Sequence, residues 1–334
     1  MKQQQKSDIL EFIKKILTLI EENRIVMLII DGLGISELKL SGFKKKVYQT
    51  VFPSSTPTFF YSFNSLLHPK DHGFLDWYMR FKDEIITIPP WRTIDGRYLE
   101  LNKDVRKRDV FPFKPLSKIL WKKGFSSVYY TPFADSLFTR LTSEKAKIRR
   151  INFLSDVFPL GDADFSFIYW PSIDTILHEK YKDEGFEVEI KTIEYFVEIL
   201  KKKIPKNSLF FVLSDHGLTY CKKRYLLPTI DSTFPIGGGR VAFYKDLNKE
   251  SVKKIIKEKR IPAKVFELNE LESFKGRINK RCYKNFGNIV VVAEPNVGFK
   301  YPFEIEKGKK KWDIGSHGGT SKEEMFVNIW EYKK

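Results

Sequence analysis

Predominantly apolar runs alternate with amphipathic segments along most of the chain. The apolar runs cover residues 25–30, 127–131, 165–170 and 209–213. Runs of this length without polar alternation are typical of strands that are buried on both faces of a sheet. The amphipathic segments, which predict helices, cover residues 8–23, 114–123 and 185–203. Strands that alternate with helices predict an α/β protein with a three-layer core and a mostly parallel sheet.

The composition changes in the last third of the chain. Residues 226–311 contain three consecutive glycines and a lysine-rich segment that predicts a helix over 251–259. We expect this region to form a small α+β insertion. The core domain then consists of residues 1–225 and 312–334, and the apolar segment 326–330 is expected to return to its sheet.

Hydroxyl side chains precede a proline in the segment from Ser54 to Pro57. Serine and threonine are favoured just before a helix, and proline is favoured in its first turn. The segment therefore predicts a helix N-terminus. We expect this helix to run to about Leu67 and to end before Pro69.

Acidic side chains follow three of the predicted strands. Asp31 and the pair Asp215-His216 come at strand ends, and Asp174 comes shortly after another. Burying such groups without partners would cost several kcal/mol. Ligands of open α/β sheets bind at the carboxyl ends of the strands. We therefore expect a metal site at this edge of the sheet.

Two more histidines extend this set. His178 lies four residues after Asp174, so both face the same side of a helix. His317 lies between small residues in a glycine-rich segment. Three aspartates and three histidines suit Zn²⁺ or a similar transition metal. The Gly-x-Gly after Asp31 does not complete a dinucleotide-binding fingerprint, because Glu37 occupies the position of its third glycine.

Charge and cysteine content narrow the class of protein. The 334 residues carry a formal net charge of +17, from 59 basic and 42 acidic side chains. This charge favours attraction to polyanions such as nucleotides or nucleic acid, although lysine- and glutamate-rich surfaces are also typical of thermophilic proteins. Cys221 and Cys282 stand alone, which excludes a disulfide framework and a cysteine-based zinc site.

The sequence favours a cytoplasmic protein that does not enter a membrane. No apolar run approaches the roughly 18 residues that a membrane span needs. The first residues lack the apolar region and the cleavage site of a signal peptide. The oligomeric state is left open.

Five motifs resemble those of the alkaline phosphatase superfamily, and most closely its type I phosphodiesterase and nucleotide pyrophosphatase branch. They are VMLIIDGLG, FPSSTPTFFYSFNSLLHPKDHG, YWPSIDTILH, LSDHG and GSHGG with EEM behind it, and they span residues 26–325 in the order of that family. The resemblance implies an alkaline-phosphatase-like core and two divalent transition-metal ions, Zn²⁺ or alternatively Mn²⁺. One ion would be held by Asp174, His178 and His317, and the other by Asp31, Asp215, His216 and Thr56.

The resemblance also implies a mechanism. Thr56 would be the nucleophile, activated by a dication, and would form a covalent phosphothreonine that water hydrolyses. Its hydroxyl neighbours Ser54, Ser55 and Thr58 are the alternatives for this role. Members of the branch often carry an asparagine three residues after the nucleophile, where this chain has Phe59. Asn64, further along the helix, either contacts the substrate instead or is structural.

The expected substrate is a nucleotide or another phosphodiester. A monoester carries an extra negative charge, and no arginine lies beside Thr56 to balance it. A phosphomonoesterase remains an alternative if Arg240 or Lys311 folds over the site. A catalytically silent metal-containing nucleotide-binding protein is a second alternative. A nucleic-acid-binding module without chemistry would explain the charge but not the six ligands. The sulfatase pattern does not fit, because Phe59 occupies the position of its arginine.

Overall fold

The computed structural model describes residues 8–35, 38–309 and 311–334. The strands are β1 (Arg24–Ile30), β2 (Lys44–Gln49), β3 (Tyr78–Phe81), β4 (Glu84–Thr87), β5 (Arg92–Thr93), β6 (Ser127–Thr131), β7 (Lys147–Arg150), β8 (Phe165–Trp170), β9 (Ser208–Leu213), β10 (Thr219–Tyr220), β11 (Lys223–Leu226), β12 (Ile236–Gly237), β13 (Val241–Tyr244), β14 (Ala263–Glu267), β15 (Ile289–Ala293), β16 (Val297–Lys300), β17 (Gly315–Ser316) and β18 (Phe326–Lys333). The helices are α1 (Ile9–Leu19), α2 (Thr56–Ser65), α3 (Pro69–His72), α4 (Lys107–Val110), α5 (Leu116–Lys122), α6 (Leu137–Thr142), α7 (Ser172–Glu179), α8 (Glu184–Lys203), α9 (Lys249–Glu258), α10 (Lys280–Asn285), α11 (Pro302–Glu306) and α12 (Lys322–Met325).

Within the described residues, the core is a seven-stranded sheet with the order β2-β18-β9-β1-β8-β6-β7. The strands from β9 to β7 are parallel to their neighbours, whereas β18 runs antiparallel to both β9 and β2. Ile29 of β1 lies beside Leu213 of β9, and Ile30 lies beside Trp170 of β8. The three central strands therefore end at the same edge of the sheet. The predicted α/β fold with a mostly parallel sheet is confirmed.

Helices cover both faces of this sheet. Ile25 and Met27 of β1 belong to a hydrophobic cluster that includes the buried faces of α1 and α2. Val26 and Leu28 of the same strand point the other way and join a cluster with α7 and α8. Successive residues of a strand face opposite sides, so the continuous apolar run of β1 is buried on both faces. This arrangement gives three layers, as the sequence predicts.

The predicted ends of two helices are wrong. The first helix ends at Leu19 rather than residue 23, and residues 20–22 form a turn after which the backbone N–H and side-chain amide of Asn23 both donate to Leu19 O, at 3.1 and 3.0 Å. Helix α2 ends at Ser65, where Leu66 takes a left-handed conformation with φ of 60°. At the start of α1, Asp8 accepts a hydrogen bond from Leu10 N–H at 2.7 Å and so caps the helix.

The insertion has a sheet of its own. In the part of the chain that the structure describes, this sheet has the order β12-β13-β15-β14. Helix α9 packs on β14. Strands β11 and β16 pair in parallel and bring the two ends of the insertion together. The limits of 226 and 311 for this domain stay a prediction. The return of the chain to the main sheet as β18 is confirmed. None of the described helices is long and apolar enough to cross a membrane.

Candidate metal centre and nucleophile

Two carboxylates and one imidazole lie where neighbouring central strands end. Asp31 directly follows β1, and Asp215 and His216 come just after β9; all three are buried. The backbone N–H groups of Gly32 and His216 donate to Asp215 Oδ1 at 3.1 and 2.9 Å, which fixes this carboxylate. His216 Nε2 lies 3.4 Å from Asp31 Oδ1 and 3.4 Å from Asp215 Oδ2. We call Asp31, Asp215 and His216 the buried ligand group.

Three further side chains come from helix α7 and a glycine-rich loop. Nε2 of His178 lies 3.4 Å from Oδ1 of Asp174, one helical turn away. His178 Nδ1 donates to Gly315 O at 3.1 Å, which leaves Nε2 free to bind a metal. His317 Nε2 lies 4.0 Å from the same oxygen of Asp174. We call Asp174, His178 and His317 the open ligand group.

His216 connects the two groups. Ligand atoms of Asp31, Asp215 and His216 lie within 4.8 Å of one another, and so do those of Asp174, His216 and His317. The resemblance instead places His178 with Asp174 and His317. The ring of His317 is closer to His216 than to His178, with centroid distances of 4.2 and 5.1 Å. The structure thus brings all six predicted ligand residues together, and their division between two ions stays a prediction.

The hydroxyl of Thr56 lies against the buried ligand group. Thr56 is the first residue of α2, and its Oγ1 is 3.0 Å from His216 Nε2 and 3.3 Å from Asp31 Oδ1. The alternative hydroxyls bond elsewhere, since Ser54 Oγ donates to Gly319 O at 3.0 Å and Ser55 Oγ lies 2.8 Å from Thr58 Oγ1. This geometry supports Thr56, rather than its neighbours, as the nucleophile.

Electrostatics favours a cation at the buried ligand group. Burial and the nearby charge of Asp215 raise the pKa of Asp31 well above its usual range. Burial likewise raises the pKa of Asp215 to about 7. Both carboxylates resist ionisation because no lysine or arginine among the described residues forms an ion pair with them. A divalent ion would supply the missing positive charge, and Asp215 Oδ2, which has no hydrogen-bond partner among the described residues, would offer it a ligand.

In the open ligand group, the histidines partly balance the negative charge of Asp174. Burial opposes ionisation of Asp174, yet His178 and His317 hold the pKa of this carboxyl below its usual range. Burial also opposes charging of His178, but Asp174 raises its pKa to about 9. Burial and His216 push the pKa of His317 well below normal, so this ring is neutral. A neutral imidazole is the form that binds a metal. Asp174 Oδ1 and His317 Nδ1 are also buried without hydrogen-bond partners among the described residues.

Two cavities meet at Thr56. The first, which we call the aromatic cavity, has a volume of about 280 Å³ and extends beneath α2 and α6. The second, the polar cavity, has a volume of about 400 Å³ and extends toward the insertion. Thr56, Trp77, Asp174 and Thr175 line both cavities. The aromatic cavity is lined mainly by Phe60, Tyr129, Phe133, Phe138, Phe167 and Tyr169. The polar cavity carries the charged residues Glu179, Arg224, Glu304, Lys309 and Asp313.

Asn64 lies in the wall of the aromatic cavity rather than beside Thr56. Its Nδ2 donates to Phe60 O at 2.9 Å. Its Oδ1 is buried without a hydrogen-bond partner in the described part of the chain. The side chain therefore offers a free acceptor, which suits an N–H donor better than a phosphate oxygen. Its role in substrate binding stays a prediction.

Sequence reasoning missed Tyr169. This residue lies next to the end of β8, and its hydroxyl donates to Asp31 Oδ2. Burial, followed by the charge of Asp31, raises its pKa well above the usual range, so the hydroxyl remains a donor. The available signal was a tyrosine near the end of a buried strand, because a buried tyrosine hydroxyl normally needs a polar partner.

The sheet, the clustered carboxylates and imidazoles at its carboxyl edge, and a hydroxyl at a helix N-terminus together define a protein of the alkaline phosphatase superfamily. Residues 33–320 match the family described as type I phosphodiesterase / nucleotide pyrophosphatase, and the chain belongs to this family. No curated protein sequence shows significant similarity to the chain.

Solved structures share the fold at low sequence identity. Murine ectonucleotide pyrophosphatase / phosphodiesterase 5 is 16% identical, with a TM-score of 0.68 over 93% of this chain and 88% of that chain. An inactive threonine-to-alanine variant of the murine protein, in complex with AMP, has the same score and coverage. Phosphonoacetate hydrolase from Sinorhizobium meliloti 1021, in complex with phosphonoacetate, is 11% identical, with a TM-score of 0.66 over 93% of this chain and 91% of that chain.

Proposed function

We propose that this chain is a two-metal phosphodiesterase or nucleotide pyrophosphatase that acts through a covalent phosphothreonine at Thr56. The position of the Thr56 hydroxyl carries the proposal. It lies between His216 Nε2 and the Asp31 carboxylate, at the first residue of α2 and at the junction of two cavities. A phosphodiester has a group on each side of its phosphorus, so two cavities that meet at the nucleophile suit a diester.

The six ligand residues fit a pair of divalent ions. Asp31, Asp215 and His216 would hold one ion beside Thr56, and the open ligand group would hold the other. Mixed carboxylate and imidazole donors suit Zn²⁺, and Mn²⁺ is the alternative. When bound, such ions lower the pKa of a coordinated hydroxyl and balance the charge of the phosphoryl group.

The protein's own groups then direct the reaction. Thr56 Oγ1 loses its proton to solvent and forms a bond to phosphorus, while the bond from phosphorus to the leaving oxygen breaks and its electron pair stays on that oxygen. The N-terminus of α2 favours the phosphate, because the positive end of the helix dipole lies at Thr56. Water next bonds to phosphorus, the bond to Thr56 breaks, and the threonine hydroxyl is restored.

Several features support a nucleotide as the substrate. The aromatic cavity offers ring faces for a base, and Asn64 Oδ1 offers an acceptor for an exocyclic amine. The net charge of +17 attracts anions. The complex of the murine relative with AMP supports the same substrate class.

The arrangement of basic residues argues against a monoesterase. Arg240 does not fold over the site, because it is buried and paired with Glu324. None of the described lysines or arginines lines the aromatic cavity. Arg224 and Lys309 line the polar cavity, but Arg224 already donates to the carbonyl groups of Asp313, Phe299 and Gly315. Lys309 is paired with Glu304, at 3.1 Å from its Oε1.

The decisive experiment removes the nucleophile. Thr56→Ala should keep both metal ions but lower kcat by at least about two to three orders of magnitude. Acid quenching during turnover should trap phosphothreonine in the unchanged protein and none in this variant. Thr56→Ser should retain measurable activity, and Ser55→Ala is the matched control. Loss of activity in Ser55→Ala but not in Thr56→Ala would contradict the assignment.

Substrate class is tested separately. We expect kcat/KM for bis-p-nitrophenyl phosphate to exceed that for p-nitrophenyl phosphate at equal metal loading. A ratio well below one would favour the phosphomonoesterase alternative on the same scaffold.

A further inference from the structure

A buried ion pair links the insertion to the core. Arg240 directly precedes β13, and its Nε lies 2.8 Å from Oε1 of Glu324 in α12. The two side chains are 1% and 0% exposed. The guanidinium also donates to the carbonyl groups of Glu294 and Val297. Arg240 is thus fixed within the insertion, and its Nε contacts the core at the Glu324 carboxylate.

Glu324 in turn contacts both loops that carry the central histidines. Its Oε1 accepts the N–H of Gly319 at 2.7 Å, two residues after His317. Its backbone oxygen accepts the N–H of Gly217 at 3.1 Å, directly after His216. The loop of His317 also contacts the segment before the nucleophile, because Gly318 N–H donates to Ser54 O at 3.0 Å.

The backbones at this junction are closely packed. A Cβ atom at Gly217 would lie 2.0 Å from Glu323 O, and one at Gly239 would lie 1.8 Å from Ser316 Oγ. Only glycine fits at such distances, so the His216 loop packs directly against α12 and the His317 loop directly against the insertion.

We propose that Arg240 and Glu324 form a positioning pair through which the insertion holds the His216 and His317 loops in the geometry that binds metal. Stability alone is a weak reason for this pair, because replacing both members of a buried ion pair with apolar residues is often neutral or stabilising. Its contacts with two ligand-bearing loops give it a second role. The inference goes beyond the proposed function but rests on its metal centre.

Three variants distinguish an effect on the position of the histidine loops from an effect on the stability of the fold. Arg240→Met leaves Glu324 buried without a countercharge and should lower stability strongly. The double variant Arg240→Met/Glu324→Met removes both charges, so it should fold with a smaller loss. Arg80→Met is the matched control. Arg80 also donates to carbonyl groups of the insertion region, Phe286 O at 2.9 Å and Phe234 O, but has no hydrogen bond to a histidine loop among the described residues.

The first measurement is the affinity for Zn²⁺ alone, by competition with a chelating dye. Loss of a residue that orients metal ligands typically costs about 10–100-fold in affinity. We expect a loss of this size in the double variant and none in Arg80→Met, even where Arg80→Met lowers the unfolding temperature as much.

The second measurement uses metal-free protein, so it does not depend on the proposed function. Amide hydrogen exchange across residues 315–321 should be faster in the double variant than in the unchanged protein and in Arg80→Met. Unchanged exchange together with unchanged Zn²⁺ affinity would overturn the positioning role. If the unchanged protein binds no Zn²⁺, the proposed function fails as well. If it binds Zn²⁺, and the double variant matches it in both affinity and exchange, this inference alone fails.

Discussion

The two ligand groups of the candidate metal centre differ in how they are built. The buried group follows strand ends, and the side chains of His216 and Asp31 are 0% and 4% exposed. The open group comes from a helix and a glycine-rich loop, and the side chains of His178 and Asp174 are 22% and 18% exposed. Water therefore has access to the open group and little access to the buried one.

The groups also differ in charge balance. In the buried group, Asp31 and Asp215 face each other, and burial and mutual repulsion raise the pKa of Asp31. In the open group, Asp174 is paired with His178, whose pKa it raises to about 9. The comparison indicates that the buried group needs a bound cation to balance the charges of Asp31 and Asp215. The open group tolerates the absence of a cation, because Asp174 is paired with His178.

The largest expected effect is the complete loss of phosphodiester hydrolysis on removal of metal. Because the open group is more accessible, a strong chelator should remove its ion first. The metal content should therefore fall from two ions per chain to one and then to none. Timed chelation followed by elemental analysis and an activity assay measures this order. Full activity in metal-free protein would contradict the two-metal proposal, and simultaneous loss of both ions would contradict the distinction between the groups.

A second prediction concerns the stability of metal-free protein. Asp215→Asn keeps the oxygen that accepts the N–H groups of Gly32 and His216 but removes a carboxyl whose burial opposes its ionisation and raises its pKa to about 7. We expect its unfolding temperature without metal to rise by a few degrees. His178→Ala removes an attractive partner of Asp174, so its unfolding temperature should fall.

Calorimetry of metal-free samples checks these opposite signs. With saturating Zn²⁺ the comparison should change, because Asp215→Asn loses an anionic ligand and gains less stability from the ion. A fall in unfolding temperature for metal-free Asp215→Asn would show that burial of the Asp215 carboxyl is not a significant cost.

Much of the core and of the site was predictable because it depends on local sequence. The apolar runs of β1, β8 and β9 are long enough for buried strands, and parallel strands end together, so the acidic residues after them had to meet. The spacing of Asp174 and His178 likewise follows from the helix period. The helix N-terminus at Thr56 was also predictable, from the hydroxyl side chains and the proline of residues 54–57.

Other features depend on how distant segments approach one another, which no local pattern reports. The position of His216 between both ligand groups is set by the approach of the loop 315–319 to the end of β9. The pairing of Arg240 with Glu324 joins residues that are far apart in the chain. The end of α1 at Leu19 is equally a tertiary effect, because the amphipathic pattern continues past it.

The smallest expected effect concerns Tyr169, which belongs to the buried group through its hydrogen bond to Asp31 Oδ2. That bond fixes the orientation of the Asp31 carboxylate, whose Oδ1 faces His216 Nε2 at 3.4 Å. Tyr169→Phe should therefore weaken Zn²⁺ binding by about ten-fold, the lower end for a residue that orients a metal ligand. Tyr129→Phe is the matched control, because Tyr129 lines the same cavity and its buried hydroxyl has no hydrogen-bond partner among the described residues. Zn²⁺ titration of both variants decides the matter. Equal affinities would mean that the fold, rather than Tyr169, orients Asp31.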